Sequence, residues 1–394
     1  MPFVAYFCSS IIKICIDFKR FSFPLILHYH HVSEVFMPKP ISTIFKTAFL
    51  FAGTMLGAGF ASGQELLYFF IAYGSMGIYG IVTAGIFFSL LGYRLLKISN
   101  QFETTDYTLF INKLCGKRFG FILNLLLGFF LFTILQLMLI AAGTICRDYF
   151  YLPFALGYTS LSLLILVLAL FGVQGIMKVN LIATPFLALI ILIICFSSLH
   201  YHEFSFSLFE HTVSLSNQPA PHWLLSCLLY ASYNLSISLP LLVPLGAKIK
   251  CNQTRLLGSI LGATLLMSLA ICITFTILLH CPYILNAQIP MLDISCSQNL
   301  LHSFLYLIIF LSAIFTTSLS CLYGCASQLK KHTNLPYPLC LIFLLCISFF
   351  FINLEFSEII QRIFPWFGYL ALFIMIKLLL AKDGGRNEKN NSPY

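Results

Sequence analysis

The sequence contains few charged residues. Asp, Glu, Lys and Arg make up 9% of its 394 residues, whereas soluble domains carry about 25%. So little charge cannot provide the polar surface that covers a water-facing globule. Hydrophobic residues make up 59% of the chain, and the mean hydropathy is +0.94. The composition therefore excludes an ordinary soluble protein and indicates a chain that lies mostly inside a lipid bilayer.

The sequence also lacks the patterns of enzymes and ATP-driven pumps. It has no Gly-x-x-x-x-Gly-Lys phosphate-binding loop. Its 14 cysteines include no Cys-x-x-Cys pair of the kind that binds metals. Histidines lie outside the apolar segments or at their edges, so a solvated loop is favoured over a metal site at His200 and His202. We therefore expect no enzyme activity, no catalytic residues and no metal site.

Ten apolar segments are present, and each is long enough to cross about 30 Å of hydrocarbon as a helix. They are too long and too uniformly apolar for the alternating strands of a membrane barrel. The predicted spans are 44–72, 76–97, 119–142, 154–173, 176–198, 222–246, 256–280, 301–326, 336–354 and 358–380.

The positive charges follow the rule that cytoplasmic segments are enriched in Lys and Arg. With the N-terminus in the cytoplasm, all but two of the 22 Lys and Arg residues fall in cytoplasmic segments, and the exceptions are Arg147 and Arg362. This distribution predicts that both termini are cytoplasmic. It also explains the net charge of +9 as a topology signal, so we expect no nucleic-acid partner.

The spans suggest one transmembrane domain, 44–381, made of two repeats, 44–198 and 222–380. The preceding residues, 1–43, are expected to form a cytoplasmic extension. Residues 1–36 contain no signal-peptide pattern, and translation from Met37 is an alternative that would leave them out. The polar tail, 382–394, is expected to be disordered.

Glycines and polar residues interrupt the first span. The four glycines are Gly53, Gly57, Gly59 and Gly63, and Gln64 and Glu65 follow them. One interpretation is close helix packing through small residues. The other is a helix that unwinds around Leu56–Gly59 and frees backbone groups to bind ions and solute, which is tolerated at that depth only beside a polar cavity. The polar residues that follow the glycines favour the unwound helix.

The sixth span carries Ser232, Asn234, Ser236, Ser238 and Pro240 within an otherwise apolar helix. A proline kink, with serines bonded to carbonyls of their own helix, is one interpretation. A second broken helix is the other. The first span begins the first half of five spans, and the sixth span begins the second. Because five is an odd number, the two halves insert into the membrane in opposite orientations. Interrupted helices at matching places of inverted halves are typical of a secondary-transporter site.

Three motifs resemble those of the YkvI-type bacterial membrane proteins: Gly53–Glu65, Leu229–Asn234 and Pro244–Gly246. The resemblance covers roughly 42–380. That group is similar to the LeuT-fold superfamily, which includes the amino acid–polyamine–organocation permeases and the neurotransmitter:sodium symporters. The resemblance implies an all-α membrane protein of about ten transmembrane helices, with a five-plus-five inverted repeat and broken helices 1 and 6. It also implies the inner membrane of a bacterium.

The resemblance further implies an ion site and a solute site. Na⁺ would bind the carbonyls of Gly53 and Leu56 together with residues of the eighth span, Ala313, Thr316 and Thr317. Hydrogen bonding between helices is an equally weighted role for the two threonines. The candidate substrate-binding residues are Gly57, Ala58, Gly59, Ser62, Tyr230, Ser232 and Asn234. Phe60 replaces the asparagine of the sodium symporters, so we predict no second Na⁺ site.

Gln64 and Glu65 are the candidate coupling or gating residues. A charged, unpaired carboxylate in hydrocarbon is costly, so we expect Glu65 to face the solute pathway or to bond a polar partner, with Gln136 and Asn124 as candidates. A carboxylate that caps the second half-helix is the alternative.

The function expected from these features is secondary active transport of a small organic solute, most plausibly an amino acid or related zwitterion, coupled to Na⁺ or H⁺. Backbone amides of Gly57–Gly59 would hold an anionic group of the solute, assisted by the helix dipole. The expected partners are the small-molecule substrate and the bilayer, with no nucleotide and no cofactor besides Na⁺. The alternative function is a solute-sensing membrane receptor built on the same fold.

Overall fold

The computed structural model describes residues 39–201, 218–281, 289–333, 335–352 and 356–381, together with Ile284 and Ala287. The predictions for the N-terminal extension before residue 39, for His202 and for the tail 382–394 lie outside these residues.

The described part of the first half contains eight helices. They are α1 (Lys39–Met55), α2 (Ala58–Ser62), α3 (Gln64–Phe69), α4 (Ser75–Gln101), α5 (Tyr107–Cys115), α6 (Lys117–Asp148), α7 (Phe154–Ala169) and α8 (Gly172–Tyr201). The described part of the second half contains six more. They are α9 (Trp223–Lys248), α10 (Asn252–Leu279), α11 (Pro290–Gln298), α12 (Leu300–Thr333), α13 (Tyr337–Ser348) and α14 (Phe356–Leu380).

These helices reproduce the ten predicted spans. Within the described residues, seven helices are long and apolar enough to cross a membrane: α4, α6, α8, α9, α10, α12 and α14. Shorter apolar helices occupy the other three predicted spans, in α1, α7 and α13. The predicted all-α membrane fold is therefore confirmed.

The first span is broken, as the glycine-rich sequence predicted. Helix α1 ends at Met55, residues Leu56 and Gly57 are not helical, and α2 begins at Ala58. The N–H of Gly57 donates to the carbonyl of Met55 at 2.9 Å, whereas in a continuous helix it would donate to Gly53. A second interruption, at Gly63, was not predicted; its φ of +81° is a conformation that favours glycine.

The break predicted in the sixth span is wrong, because α9 is continuous from Trp223 to Lys248 even though Pro240 and Pro244 lie inside it. Its polar side chains bond to carbonyls of their own helix instead of marking an unwound segment. Asn234 Nδ2 donates to the carbonyl of Tyr230 at 3.1 Å, and Ser238 Oγ donates to that of Leu235 at 2.6 Å. These bonds agree with the proline-kink interpretation, in which polar side chains donate to carbonyls of their own helix.

Two short helices occupy connections between the predicted spans. Helix α5 begins after Asp106, whose Oδ1 accepts from the N–H of Thr108 at 2.9 Å and from that of Leu109 at 3.5 Å. A capping carboxylate of this kind is a strong helix start. Helix α11 begins at Pro290, and proline is a favoured first helical residue. Both helices connect spans and pack against the bundle.

The packing of the spans brings the broken helix to the centre of the molecule. Helix α9 packs against α4 and α14, α10 packs against α1 and α4, and α12 packs against α6, α8 and the short α2. As a result α2 and α3 are buried along their whole length. The residues beside the break are therefore enclosed by helices from both halves of the chain.

Candidate substrate and ion site

A narrow cavity lies beside the break in the first span. It is enclosed by the end of α1, the break, the short helices α2 and α3, and helices α6, α9, α12 and α14. Its lining residues are Thr54, Met55, Gly57, Ala58, Gly59, Glu65, Ile134, Met138, Asn234, Ile237, Thr317 and Phe364. The cavity combines apolar walls with a few polar groups, which is the usual composition of a small-molecule site.

Glu65 places a carboxylate in this cavity. It lies in the first turn of α3, and its side chain is 6% exposed. The side chain folds back over Gly59, where an added methyl group would overlap the carboxylate oxygen Oε1. Oε2 accepts a hydrogen bond from the hydroxyl of Tyr233 at 2.7 Å. Because Gly59 has no side chain, the carboxylate can approach the backbone of the break directly.

The polar partner of Glu65 is thus Tyr233, and the expected partners on the third span are wrong. Gln136 Oε1 instead accepts from the hydroxyl of Tyr158 at 3.1 Å, and Asn124 Nδ2 donates to the carbonyl of Thr108 at 3.0 Å. Both residues lie on α6, but their side chains bond to neighbouring helices rather than to the break.

Helix α9 supplies the opposite wall. Tyr233 is buried and donates to Glu65, while the amide of Asn234 lies beside the same carboxylate. These two neutral donors are adjacent in sequence, and the rotation of α9 turns both toward the break. The arrangement gives the buried carboxylate hydrogen-bond donors, which a buried charge requires.

The proposed ion ligands lie on α12 and on the end of α1. Thr317 lines the cavity, and its Oγ1 would be 3.2 Å from a methyl group added at Gly57. Thr316 is buried one residue earlier, and its Oγ1 donates to the carbonyl of Ala313 at 3.2 Å. The structure therefore brings the hydroxyl of Thr317 next to the break, where the N–H of Gly57 has turned away from the carbonyl of Gly53.

Other predicted residues do not line this cavity, among them Leu56, Ala313 and Thr316 of the predicted ion site. Ser62 Oγ donates to the carbonyl of Gly59 at 2.8 Å within α2. Ser232 Oγ bonds to the carbonyl of Gly368 on α14 at 2.9 Å. Tyr230 lines a neighbouring cavity with Met55 and Phe60. Gly53 faces α8, where an added methyl group would overlap the hydroxyl of Thr184.

Gln64 points away from the cavity, toward a connecting segment. Its Nε2 donates to the carbonyl of Ala287 at 2.5 Å, and Ala287 lies three residues before the start of α11 at Pro290. The hydroxyl of Tyr306 on α12 donates to the carbonyl of Ala61. The first bond ties α3 to the segment before α11, and the second ties α2 to α12.

The sequence did not identify several residues of the site. Ile134, Met138, Ile237 and Phe364 line the cavity, but apolar residues in a membrane helix carry no signal of the side they face. Tyr233 lies inside the Leu229–Asn234 motif, which was the available signal for it. Within the described residues, no cluster of three or more His, Cys, Asp or Glu side chains could hold a metal ion.

Fold and site together define an α-helical membrane protein of the LeuT fold with an interrupted first helix beside a central cavity. No protein-family model matches the chain. The chain is homologous to the uncharacterised membrane protein YkvI of Bacillus subtilis, at 28% identity over 338 residues, covering 85% of this chain and 95% of the relative. The uncharacterised protein YyaD of the same organism is 27% identical over 337 residues, covering 85% and 96%. The resemblance to YkvI-type proteins is thereby confirmed.

Solved structures with the same fold are similar to this chain along most of its length. A Na⁺-coupled sialic acid symporter has a TM-score of 0.63 and 13% identity, covering 86% of this chain and 79% of that one. MhsT in complex with L-phenylalanine has a TM-score of 0.62 and 15% identity, covering 84% and 88%. Mhp1, a nucleobase-cation-symport-1 family transporter, has a TM-score of 0.61 and 12% identity, covering 84% and 77%. At these identities the similarity establishes the fold.

Proposed function

We propose that the protein is a secondary active transporter of a small organic solute, an amino acid or a related compound, coupled to Na⁺ or H⁺. The observation that carries the proposal is the cavity beside the broken first helix, which both halves of the chain enclose and which contains Glu65, Asn234 and Thr317. A site between two halves can open to either side of the membrane as the halves move.

The proteins with similar folds support this proposal. One is a Na⁺-coupled sialic acid symporter, another was solved with L-phenylalanine bound, and a third belongs to a nucleobase-cation symport family. Their solutes differ widely, so the fold fits transport of small organic solutes without fixing the substrate.

For the coupling ion we propose a Na⁺ site at the carbonyls of Gly53 and Leu56 with Ala313, Thr316 and Thr317. Carbonyl and hydroxyl oxygens suit a hard cation. The hydroxyl of Thr317 next to Gly57 supports this site, and so does the altered hydrogen bonding of the break. Glu65 is the alternative coupling group, through a proton.

The proposed location is the inner membrane of a bacterium, with both termini in the cytoplasm.

For the solute we propose contact with Gly57, Ala58, Gly59 and Asn234, which all line the cavity.

Counterflow in proteoliposomes tests the function. Purified protein is reconstituted, the vesicles are loaded with unlabelled amino acids and amines, and uptake of the same labelled compounds is followed with Na⁺ or with choline outside. A transporter exchanges label above the level of protein-free vesicles. A receptor would bind solute, seen as thermal stabilisation, without exchange, and that result would contradict transport.

Gly59→Val serves as the inactive variant. Its branched side chain would displace the Glu65 carboxylate and fill the cavity, so it should remove exchange. Ala155→Val is the control, because Ala155 lies on an exposed face of α7 and the substitution adds similar volume away from the site. Gly116→Val would not serve as a control, because Gly116 has a φ of +85°, a backbone conformation that valine does not tolerate.

A further inference from the structure

Glu65 is a buried carboxylate without a cationic partner in the described part of the chain. Its side chain is 6% exposed. Two ion pairs of the described residues, Arg147 with Asp148 and Lys331 with Asp106, do not involve Glu65. Its protein contacts are neutral donors, the hydroxyl of Tyr233 and the amide of Asn234. A buried carboxylate of this kind is stabilised when a positive charge joins it.

The tyrosine that binds this carboxylate belongs to a cluster of aromatic rings, one of which lines the cavity. The ring of Tyr233, which donates to Glu65, lies 5.0 Å from that of Phe364 and 5.4 Å from that of Phe69, between centroids. Phe130 of α6 lies 5.8 Å from Phe364. Phe364 itself lines the cavity that contains Glu65. Ring faces attract organic cations through their quadrupoles, most strongly where water is excluded.

A carboxylate beside aromatic rings fits an organic cation better than a metal ion. Hard metal ions take about six or more oxygen ligands, whereas the Glu65 side of the cavity offers its carboxylate, the amide of Asn234 and mainly apolar groups. An ammonium or guanidinium group needs one strong acceptor and tolerates apolar or aromatic surroundings for the remainder of its surface.

The same geometry opposes an anionic group at the break. The carboxylate of Glu65 lies directly over Gly59, so a solute carboxylate held on the amides of Gly57–Gly59 would lie next to a like charge. Such a contact is unfavourable in a buried site. Helix α2 has only five residues, which gives it little dipole to offset the repulsion.

We infer that the transported solute carries a cationic ammonium or guanidinium group, and that this group binds Glu65 beside the ring of Phe364. The inference rests on the proposed function and specifies its substrate class. It reverses the polarity expected from the sequence, because the solute's positive group, rather than its carboxylate, is placed at the broken helix.

The test is a thermal-shift titration of the purified full chain with solutes that share one skeleton but differ in charge. One set is phenethylamine, L-phenylalanine and 3-phenylpropanoate; a second is isoamylamine, L-leucine and 4-methylpentanoate. Agmatine adds a guanidinium. The amines should stabilise the wild-type protein at the lowest concentrations, and the carboxylates that lack an amine should not stabilise it.

Glu65→Gln keeps the shape of the side chain and its bond from Tyr233 but removes the charge. It should weaken amine binding at least tenfold, while Glu65→Asp, which keeps the charge on a shorter stem, should weaken it less and preserve the order of preference. Glu103→Gln is the matched control, because Glu103 is exposed, and it should bind as the wild type does. The Asp variant keeps the test valid if the Gln variant fails to fold.

Three results would overturn the inference. One is equal or better stabilisation by the carboxylates that lack an amine, and another is no stabilisation by any amine. The third is an unchanged amine preference in Glu65→Gln. Counterflow separates this inference from the proposed function. If the protein binds amines but exchanges none, cation binding at Glu65 stands and transport is lost. If it exchanges solutes without regard to their charge, transport stands and cation binding at Glu65 is lost.

Discussion

The hydroxyl of Tyr233 on α9 donates a 2.7 Å hydrogen bond to Oε2 of Glu65 on α3. The two residues are 168 positions apart, one in each half of the chain, and both are buried. The bond therefore links the broken helix of the first half to the first helix of the second. Any movement that separates the two halves at the cavity has to break it or carry both residues together.

Tyr233→Phe should destabilise the protein and impair transport. The ring packing on Phe364 is retained, but the buried carboxylate of Glu65 loses the hydroxyl donor on Oε2, and an unsatisfied buried acceptor costs about 1–3 kcal/mol. Thermal melting of the purified variant measures the loss. Tyr79→Phe is the control, since Tyr79 is 62% exposed, and it should melt with the wild type. Equal melting of both variants would show that the bond contributes nothing to stability.

Gly59→Ala should lower solute affinity while leaving every charge in place. The added methyl group would overlap Oε1 of Glu65, so the flexible carboxylate has to rotate away from the cavity. We expect a tenfold or larger increase in the concentration that half-saturates binding, measured by thermal shift or by uptake. Wild-type affinity in Gly59→Ala would mean that the carboxylate does not touch the solute.

Much of the fold could be predicted from the sequence because its causes are local. Apolar segments long enough to cross a bilayer fix the ten spans, and the density of glycine around Gly57 fixes the break in the first. The continuity of α9 could not be predicted, because the same serines and Asn234 that suggested an unwound helix instead bond to carbonyls one turn earlier. Composition alone does not distinguish these two outcomes.

The partner of Glu65 was missed for a different reason. Its identity depends on the rotation of α9 about its axis and on the side chain folding back over Gly59, and neither is encoded by a local pattern. Gln136 and Asn124 were reasonable polar candidates at the right depth, but each is already bonded elsewhere. Contacts between distant helices require the tertiary structure.

Thr317→Ala should reduce the Na⁺ dependence of transport without a large loss of stability. The substitution removes one hydroxyl oxygen beside Gly57, whereas Thr317→Ser keeps the oxygen and should retain Na⁺ dependence. Ser312→Ala, on the same helix, removes an exposed hydroxyl bonded to the carbonyl of Ile308 and serves as the control. Uptake is measured against Na⁺ concentration. A wild-type protein that transports equally well in choline would refute the site and favour coupling to protons.

Gln64→Ala should loosen the segment around α11. The variant loses the bond from Nε2 to the carbonyl of Ala287, which joins α3 to that segment. Hydrogen exchange followed by mass spectrometry should show faster exchange over residues 289–298 in the variant. Gln174→Ala, at an exposed position of α8, should leave the exchange unchanged. Unaltered exchange in Gln64→Ala would remove the gating role proposed for this residue.

The proposed topology can be tested with two native cysteines that lie on opposite sides of the membrane. Cys296, in α11, is exposed and should face outward, and Cys251, which precedes α10, is exposed and should face the cytoplasm. An impermeant maleimide added to intact cells should label Cys296 alone, and permeabilised cells should also label Cys251. Peptide mapping by mass spectrometry identifies the labelled residue.

Protection of Cys251 in intact cells would not reflect low reactivity. Hydrogen bonding from the backbone of Thr254 lowers the pKa of the Cys251 thiol, which increases its thiolate fraction near neutral pH. Cys251→Ser and Cys296→Ser are the controls, and each should remove one labelled peptide. Labelling of Cys251 from outside, with Cys296 protected, would invert the topology and contradict the charge distribution on which it rests. A reporter fused after Lys331 should then also read as external, whereas the proposed orientation places it in the cytoplasm.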